Sequence, residues 1–296
     1  MKFKLQEINI PQLDTGPYGI AVSDEGKVWF TQHKANKISC IEQDGKIKEY
    51  KVPTPDAKVM CITVSSNGEV WFTQNAANKI GKLSKDGFII EYPLPQPNSA
   101  PYGITEGPNN EIWFTELNGN RIGKITAEEK IFEYELPSKD SYPSFITLGP
   151  DNALWFTENQ NNAIGRITKN GEITEYPIPT QASGPVGITS GHDGALWFVE
   201  IIGNKIGRIT TSGEIMEYDI PTLQARPHAI TAGVDSDLWF TEWGANKIGR
   251  IKSDQSIEEY SILTHNAEPH GIASSRDGFV WVALECNKIG KLSLVN

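Results

Sequence analysis

A tryptophan returns every 42 residues along this chain, at Trp29, Trp71, Trp113, Trp155, Trp197, Trp239 and Trp281, mostly within Trp-Phe-Thr. Seven such units account for nearly all of the 296 residues, and only Trp243 stands outside the series. Self-similarity of this length restricts the chain to repeat architectures, in which each unit buries its faces on its neighbours. Specialised chemistry must then sit where the copies differ.

One copy shows the local structure. Gly19-Ile20-Ala21-Val22 is a short apolar run, Asp24-Glu25-Gly26 a turn signal, and Val28-Trp29-Phe30-Thr31 a run of β-formers. A polar break at Lys34-Ala35-Asn36 precedes a third strand, Ile38 to Ile41. Asp44-Gly45 turns the chain into a fourth, Ile47 to Val52, ended by Pro53. Apolar residues recur with period two, so nothing reads as helix. Four antiparallel strands per 42 residues predict an all-β, seven-bladed β-propeller forming one domain over 1–296.

The Ile20 and Trp29 columns read as core between blades. The column Glu7, Glu49, Glu91, Glu133, Glu175, Glu217 and Glu259 reads as a solvated outer-strand face, with Lys as a possible partner. The seventh unit ends at its third strand. Residues 3 to 10 fit the missing fourth, with Leu5, Glu7 and Pro11 in the columns of Ile47, Glu49 and Pro53. The N-terminal segment is therefore expected to complete the last blade and close the ring, leaving no open edge.

Composition narrows the function. The formal charge is −10 and the pI near 5.1, which argues against nucleic acid or an anionic membrane as partner. No run approaches the ~20 apolar residues of a membrane span. Met1-Lys2-Phe3-Lys4 opens no apolar signal segment. Cys40, Cys61 and Cys286 are irregularly spaced and form neither a disulfide framework nor a zinc pattern. A cytoplasmic monomer is the expectation.

The first strand of a blade lies nearest the axis, so its start and the end of the second strand are expected at the channel mouth. One column there reads Tyr18, Met60, Tyr102, Ser144, Val186, His228, His270, placing two of the five histidines on adjacent blades. His33, His192 and His265 read as ordinary surface residues. A second column reads Gln32, Gln74, Glu116, Glu158, Glu200, Glu242. In the seventh unit one residue is missing between Trp281 and Asn287, which is expected to leave Glu285 as the rim carboxylate. Glu268 precedes His270 by two. Two carboxylates brought close repel unless one is protonated or a cation neutralises them, and a site of few carboxylates plus water suits Mg²⁺. The plainer alternative is that these acids only solubilise the channel mouth.

The pattern WFT…NKIG…G.I.EY.(I/V/L)P, with Arg226-Pro227-His228, Glu268-Pro269-His270 and Leu284-Glu285, resembles the streptogramin B lyases (virginiamycin B lyases) of resistant bacteria, over the whole chain. The resemblance implies an enzyme that linearises cyclic depsipeptide antibiotics by elimination at the threonyl ester C–O bond. It implies Mg²⁺ on Glu268 and Glu285, His270 as proton acceptor and His228 as substrate contact. Tyr18, across the ring closure from His270, is expected to line the pocket.

The residues suit that chemistry. A proton next to a carbonyl is weakly acidic. A divalent ion can stabilise the developing charge, and an imidazole with a pKa near ~6.5 is a usable base. No nucleophile is needed, in keeping with the absence of a G-x-S-x-G elbow. The rival readings are a metal-dependent lactonase or esterase that activates water, and a non-enzymatic binding scaffold.

Overall fold

In the computed structural model, which describes residues 2–295, the chain forms seven four-stranded antiparallel sheets. Blade one consists of Pro17–Val22, Val28–Gln32, Lys37–Ile41 and Ile47–Lys51. The first strand of each blade adjoins the first strands of both neighbouring blades, and that of the seventh, Pro269–Ser274, adjoins Pro17–Val22. The sheets thus close into a propeller with first strands innermost. Among the described residues the one helical element is a short 3₁₀ turn, Pro108–Asn110.

Ring closure occurs as the register predicts. Lys2–Asn9 pairs antiparallel with Lys288–Val295, with Leu5 opposite Leu292 and Glu7 opposite Gly290. Phe3 packs edge-on against Trp239 and Tyr260, with centroids 4.8 and 5.1 Å away.

The repeat motif has a packing explanation. Phe30, Phe72, Phe114, Phe156, Phe198 and Phe240 are wholly buried. From the second blade to the sixth, each faces the glycine of the Ile-Gly pair on the third strand. A Cβ at Gly249 would lie 2.0 Å from the Phe240 ring, which no side chain can occupy. The tryptophans are buried on the opposite strand face, and those of blades one to six pack on the outer-strand tyrosines, as Trp113 does on Tyr134 at 12°. Both columns are core, as expected of units that stack on one another.

The outer glutamates are more than a solvated face. Glu91 accepts hydrogen bonds from the Thr54 amide and hydroxyl (3.1 and 2.7 Å) on the preceding loop and from Lys79 (2.8 Å). Glu7 repeats this with Thr264 and Lys288, stapling the closing strand to blade six.

Candidate active site

The first strand of every blade carries a register shift. Pro17 pairs with Gln32 and Ile20 with Phe30, so two residues, Tyr18 and Gly19, oppose Thr31 alone. The same bulge recurs at Pro227/Ile230 and Pro269/Ile272. Bulges re-aim side chains, and these carry Tyr18, His228 and His270. The threonine of Trp-Phe-Thr clamps the bulge. Thr241 accepts from the Ala229 amide (3.0 Å) and donates to the His270 carbonyl (2.8 Å), fixing both histidine-bearing bulges with one hydroxyl.

The bulges bring the expected residues together at the axis. Tyr18 lies over His270 with centroids 4.4 Å apart, and the rings of His228 and His270 are 4.9 Å apart. The Tyr18 hydroxyl is 3.1 Å from Nε2 of His228 and 2.6 Å from the Tyr102 hydroxyl, two blades away. Tyr18 and His228 also line a cavity of about 140 Å³, walled by inner strands of all seven blades.

The second expected column is corrected by one residue. Gln32, Gln74, Glu116, Glu158, Glu200 and Glu242 are wholly buried and do not line the mouth. Their counterpart in blade seven is Leu284, which pairs with Pro269 as Gln32 pairs with Pro17. Glu285 instead follows the strand, and its amide bonds the Glu268 carbonyl (3.1 Å) as that of His33 bonds Gly16 and that of Trp243 bonds Arg226. The rim column therefore reads His33, Asn75, Leu117, Asn159, Ile201, Trp243, Glu285, still at intervals of 42. The deletion falls in the turn beyond Glu285. Alternate residues face opposite sides of a strand, so a slip of one exchanges rim for interior.

This register brings in residues that the sequence reading set aside. His33, expected to be an ordinary surface residue, is half-buried with Nε2 3.2 Å from Glu285 Oε1. Lys34 Nζ lies 3.0 Å from the same oxygen. Trp243, the tryptophan outside the 42-residue series, stacks toward His270 with centroids 6.4 Å apart and carries the Arg226 guanidinium over its ring. Counting 42 from Glu285 would have found both His33 and Trp243. His265 and His192 do stay outside the group, both exposed, with the His192 ring bonded to the Gly233 carbonyl.

Electrostatics sort these groups into roles. Glu285 Oε2 is 2.7 Å from His270 Nε2. The hydrogen bonds from His270, His33 and Lys34 hold the Glu285 carboxyl far below its ordinary range, so it stays ionised. An ionised carboxylate only accepts, so His270 carries a proton on Nε2, and a neutral His270 would have its lone pair at Nδ1. That Nδ1 is buried and has no protein partner. Burial pushes the pKa of His228 down to about 3, with His270 adding to the shift and the His270 carbonyl only partly opposing it. His228 is therefore neutral, and its Nδ1 is likewise without a partner.

The residues also fit a divalent cation. Glu268, His270 and Glu285 offer ligand atoms within 4.8 Å of one another. Glu268 has a backbone φ of 50°, the left-handed conformation that its position takes in every blade and that Gly16 and Gly184 take without strain. This turn sets the exposed Glu268 beside the ionised Glu285, and two carboxylates with room for water suit a hard cation.

The misplaced column yields a prediction of its own. In blade one the Gln32 amide donates to Glu49 (3.0 Å). In blades three to six a glutamate replaces the glutamine and faces the equivalent acid. Burial, with the like charge of Glu133, Glu175, Glu217 or Glu259 adding, raises Glu116 and Glu158 to about 7 and Glu200 and Glu242 to about 8. Below that pH each is protonated in the fold. The unfolded chain ionises first, near the ordinary 4.5. Between that pH and 7–8 it therefore binds fewer protons than the native state, and stability falls by up to ~1.4 kcal/mol per pH unit per group. The melting temperature should drop from pH 5 to pH 8.5, and replacing all four by Gln should flatten that slope. An unchanged slope in the variant would show that these acids are ionised in the fold.

A seven-bladed propeller with an anchored imidazole, a second neutral imidazole and two neighbouring carboxylates at its mouth has the groups of an acid–base enzyme. The chain matches the Virginiamycin B lyase family over residues 3–292 and belongs to it. It is similar to a solved streptogramin B lyase (70% identity, TM-score 0.97, covering 99% of this chain and 98% of that one). It is also similar to a catalytically inactive H270A virginiamycin B lyase from Staphylococcus aureus solved with quinupristin (72% identity, TM-score 0.97, covering 99% and 100%). A shorter match to the curated Staphylococcus aureus virginiamycin B lyase is 74% identical over 47 residues, 16% of each chain. Among the described residues no helix is long and apolar enough to cross a membrane.

Proposed function

We propose that this protein is a carbon–oxygen lyase that inactivates streptogramin B depsipeptides by opening the ring at the threonyl ester. The observation that carries the reading is the state of His270. Its Nε2–H is anchored on an ionised carboxylate, its Nδ1 has no protein partner, and it stands beside a neutral imidazole. The inactive H270A relative solved with quinupristin supports the assignment of the base.

His270 takes the threonyl Cα proton. The electron pair left behind forms the Cα=Cβ double bond as the Cβ–O bond breaks, and the ester oxygen departs within a carboxylate. The products together are an isomer of the substrate. His228 donates a hydrogen bond to a substrate carbonyl or to the leaving oxygen. Tyr18 lines the pocket against His270. Glu268 and Glu285 would hold Mg²⁺, which supplies a Lewis acid for the carbonyl oxygens flanking the acidic proton. Lys34 and His33 keep Glu285 charged and in place. The net charge of −10 and the ring closed on itself fit a cytoplasmic monomer that takes a small substrate and neither nucleic acid nor membrane.

Mass analysis of a streptogramin B depsipeptide incubated with the protein and Mg²⁺ tests this reading. A linear product of unchanged mass, absorbing in the near ultraviolet, is expected. Gain of one water would make the protein an esterase, and no turnover would leave a binding scaffold. EDTA should stop the reaction and added Mg²⁺ restore it. Activity indifferent to chelator would remove the metal role of Glu268 and Glu285.

A further inference from the structure

Glu285 has more partners than the anchoring of His270 requires. Its Oε2 bonds His270 Nε2 at 2.7 Å, while its Oε1 is shared by His33 Nε2 at 3.2 Å and Lys34 Nζ at 3.0 Å. His33 and Lys34 follow the second strand of blade one, so they meet Glu285 only because the ring closes. Gly16 makes room for both. A Cβ there would lie 2.7 Å from His33 Nε2 and 2.9 Å from Lys34 Cγ. The same position in blade seven is Glu268.

The three partners are held differently. The side chains of His270 and His33 are largely buried, whereas that of Lys34 is 41% exposed. Lys34 also has a second acid in reach, with Nζ 3.6 Å from Oδ1 of Asp14, whose side chain is 85% exposed. Its ammonium thus stands between the carboxylate of the site and one in open solvent.

Charge decides what this arrangement means for a divalent ion. Mg²⁺ binds carboxylate oxygen at ~2.1 Å, so an ion on Glu285 would lie within ~7 Å of Lys34 Nζ. That is inside the ~8 Å screening length of physiological salt, and the two cations repel. They also compete for the same lone pairs. A carboxylate has about four acceptor sites, and three of those on Glu285 are taken. The ammonium is the partner that can leave, since an exposed ion pair is weak and Asp14 can replace Glu285. His33 and His270 would keep the carboxylate in place without it. Losing the ammonium therefore relieves repulsion and disturbs the placement of Glu285 little.

We propose that Lys34 is the resident cation of Glu285: its ammonium neutralises the carboxylate until a divalent ion arrives, and moves to Asp14 as the ion binds. The proposal rests on the reading of Glu268 and Glu285 as Mg²⁺ ligands. It makes metal affinity a compromise. Two neighbouring carboxylates with no cation would repel and draw a proton. Lys34 keeps Glu285 charged and aimed, and in return the ion binds less tightly than the two acids alone would allow.

Titration calorimetry of the full chain with MgCl2 reads this without turnover. Lys34→Met removes the charge and keeps the length of the side chain, and Lys34→Arg keeps the charge. The Kd for Mg²⁺ should be about five- to tenfold lower in Lys34→Met than in wild type, and within about twofold of wild type in Lys34→Arg. The same Mg²⁺ concentration should then raise the melting temperature of Lys34→Met more than that of wild type, and these melts also check that each variant is folded. An unchanged or weakened Mg²⁺ affinity in Lys34→Met would overturn the proposal and leave Lys34 a device for placing Glu285. A Lys34→Arg protein that binds as tightly as Lys34→Met would overturn it too, because the gain would not come from charge. Wild-type protein that binds no Mg²⁺ would refute Glu268 and Glu285 as ligands and the proposal with them. Binding by wild type with no gain in Lys34→Met sinks the proposal alone.

Discussion

Replacing His270 by alanine is expected to lower kcat on a streptogramin B depsipeptide by about a thousandfold or more, the scale on which a positioned general base contributes. The fold should survive. The side chain meets the Tyr18, His228 and Trp243 rings and the Glu285 carboxylate at the channel mouth, and the hydrogen bond that holds its bulge runs from Thr241 to the backbone carbonyl, which alanine keeps. Binding of the uncleaved depsipeptide should persist. The check is a pair of measurements on one preparation, steady-state turnover and a thermal melt. Turnover within tenfold of wild type, with the melt unchanged, would exclude His270 as the base.

Removing residues 1–10 should be as damaging to stability as that substitution is to turnover. The deletion strips the outer pairing partner from Lys288–Val295 along its whole length. It takes Phe3 away from Trp239 and Tyr260, Leu5 from the core between blades six and seven, and Ile10 from that between blades seven and one. It also takes Glu7 from Thr264 and Lys288. Loss of several buried apolar side chains and a strand ladder is expected to cost well over ~4 kcal/mol, a fall in melting temperature on the order of 10 °C for a chain of this size. Differential scanning calorimetry of the truncated protein measures it. A melting temperature within a few degrees of the full chain would mean that the ring does not depend on this closure.

The fold was legible because two periods are written into the chain. Alternation by two marks strands, and recurrence by 42 marks blades. Each is a direct consequence of burying a side chain on one face and of stacking identical units. The closing strand was legible for the same reason, since Leu5, Glu7 and Pro11 keep the template across the ends of the chain. The histidine column was legible because two rare residues in register cannot be explained by packing, and the packing around them is the same in every blade.

The rest required coordinates. Glu285 was found, but for the wrong column: the seventh blade was aligned through its deletion, where counting 42 from Trp243 keeps Glu285 on the rim. His33 looked ordinary because the acid it holds lies 252 residues away, and only ring closure puts blades one and seven side by side. Tyr102 appeared in the right column, but its contact with the hydroxyl of Tyr18 two blades distant needed the closed ring. By itself the chain determined which residues face the axis and how many blades surround it, because those follow from repetition along a strand. Which of those residues touch, which nitrogen of each histidine has a partner, and which acids are buried with a proton were decided by the closed ring, because contacts across the axis and dielectric surroundings are properties of three-dimensional proximity that no linear period encodes.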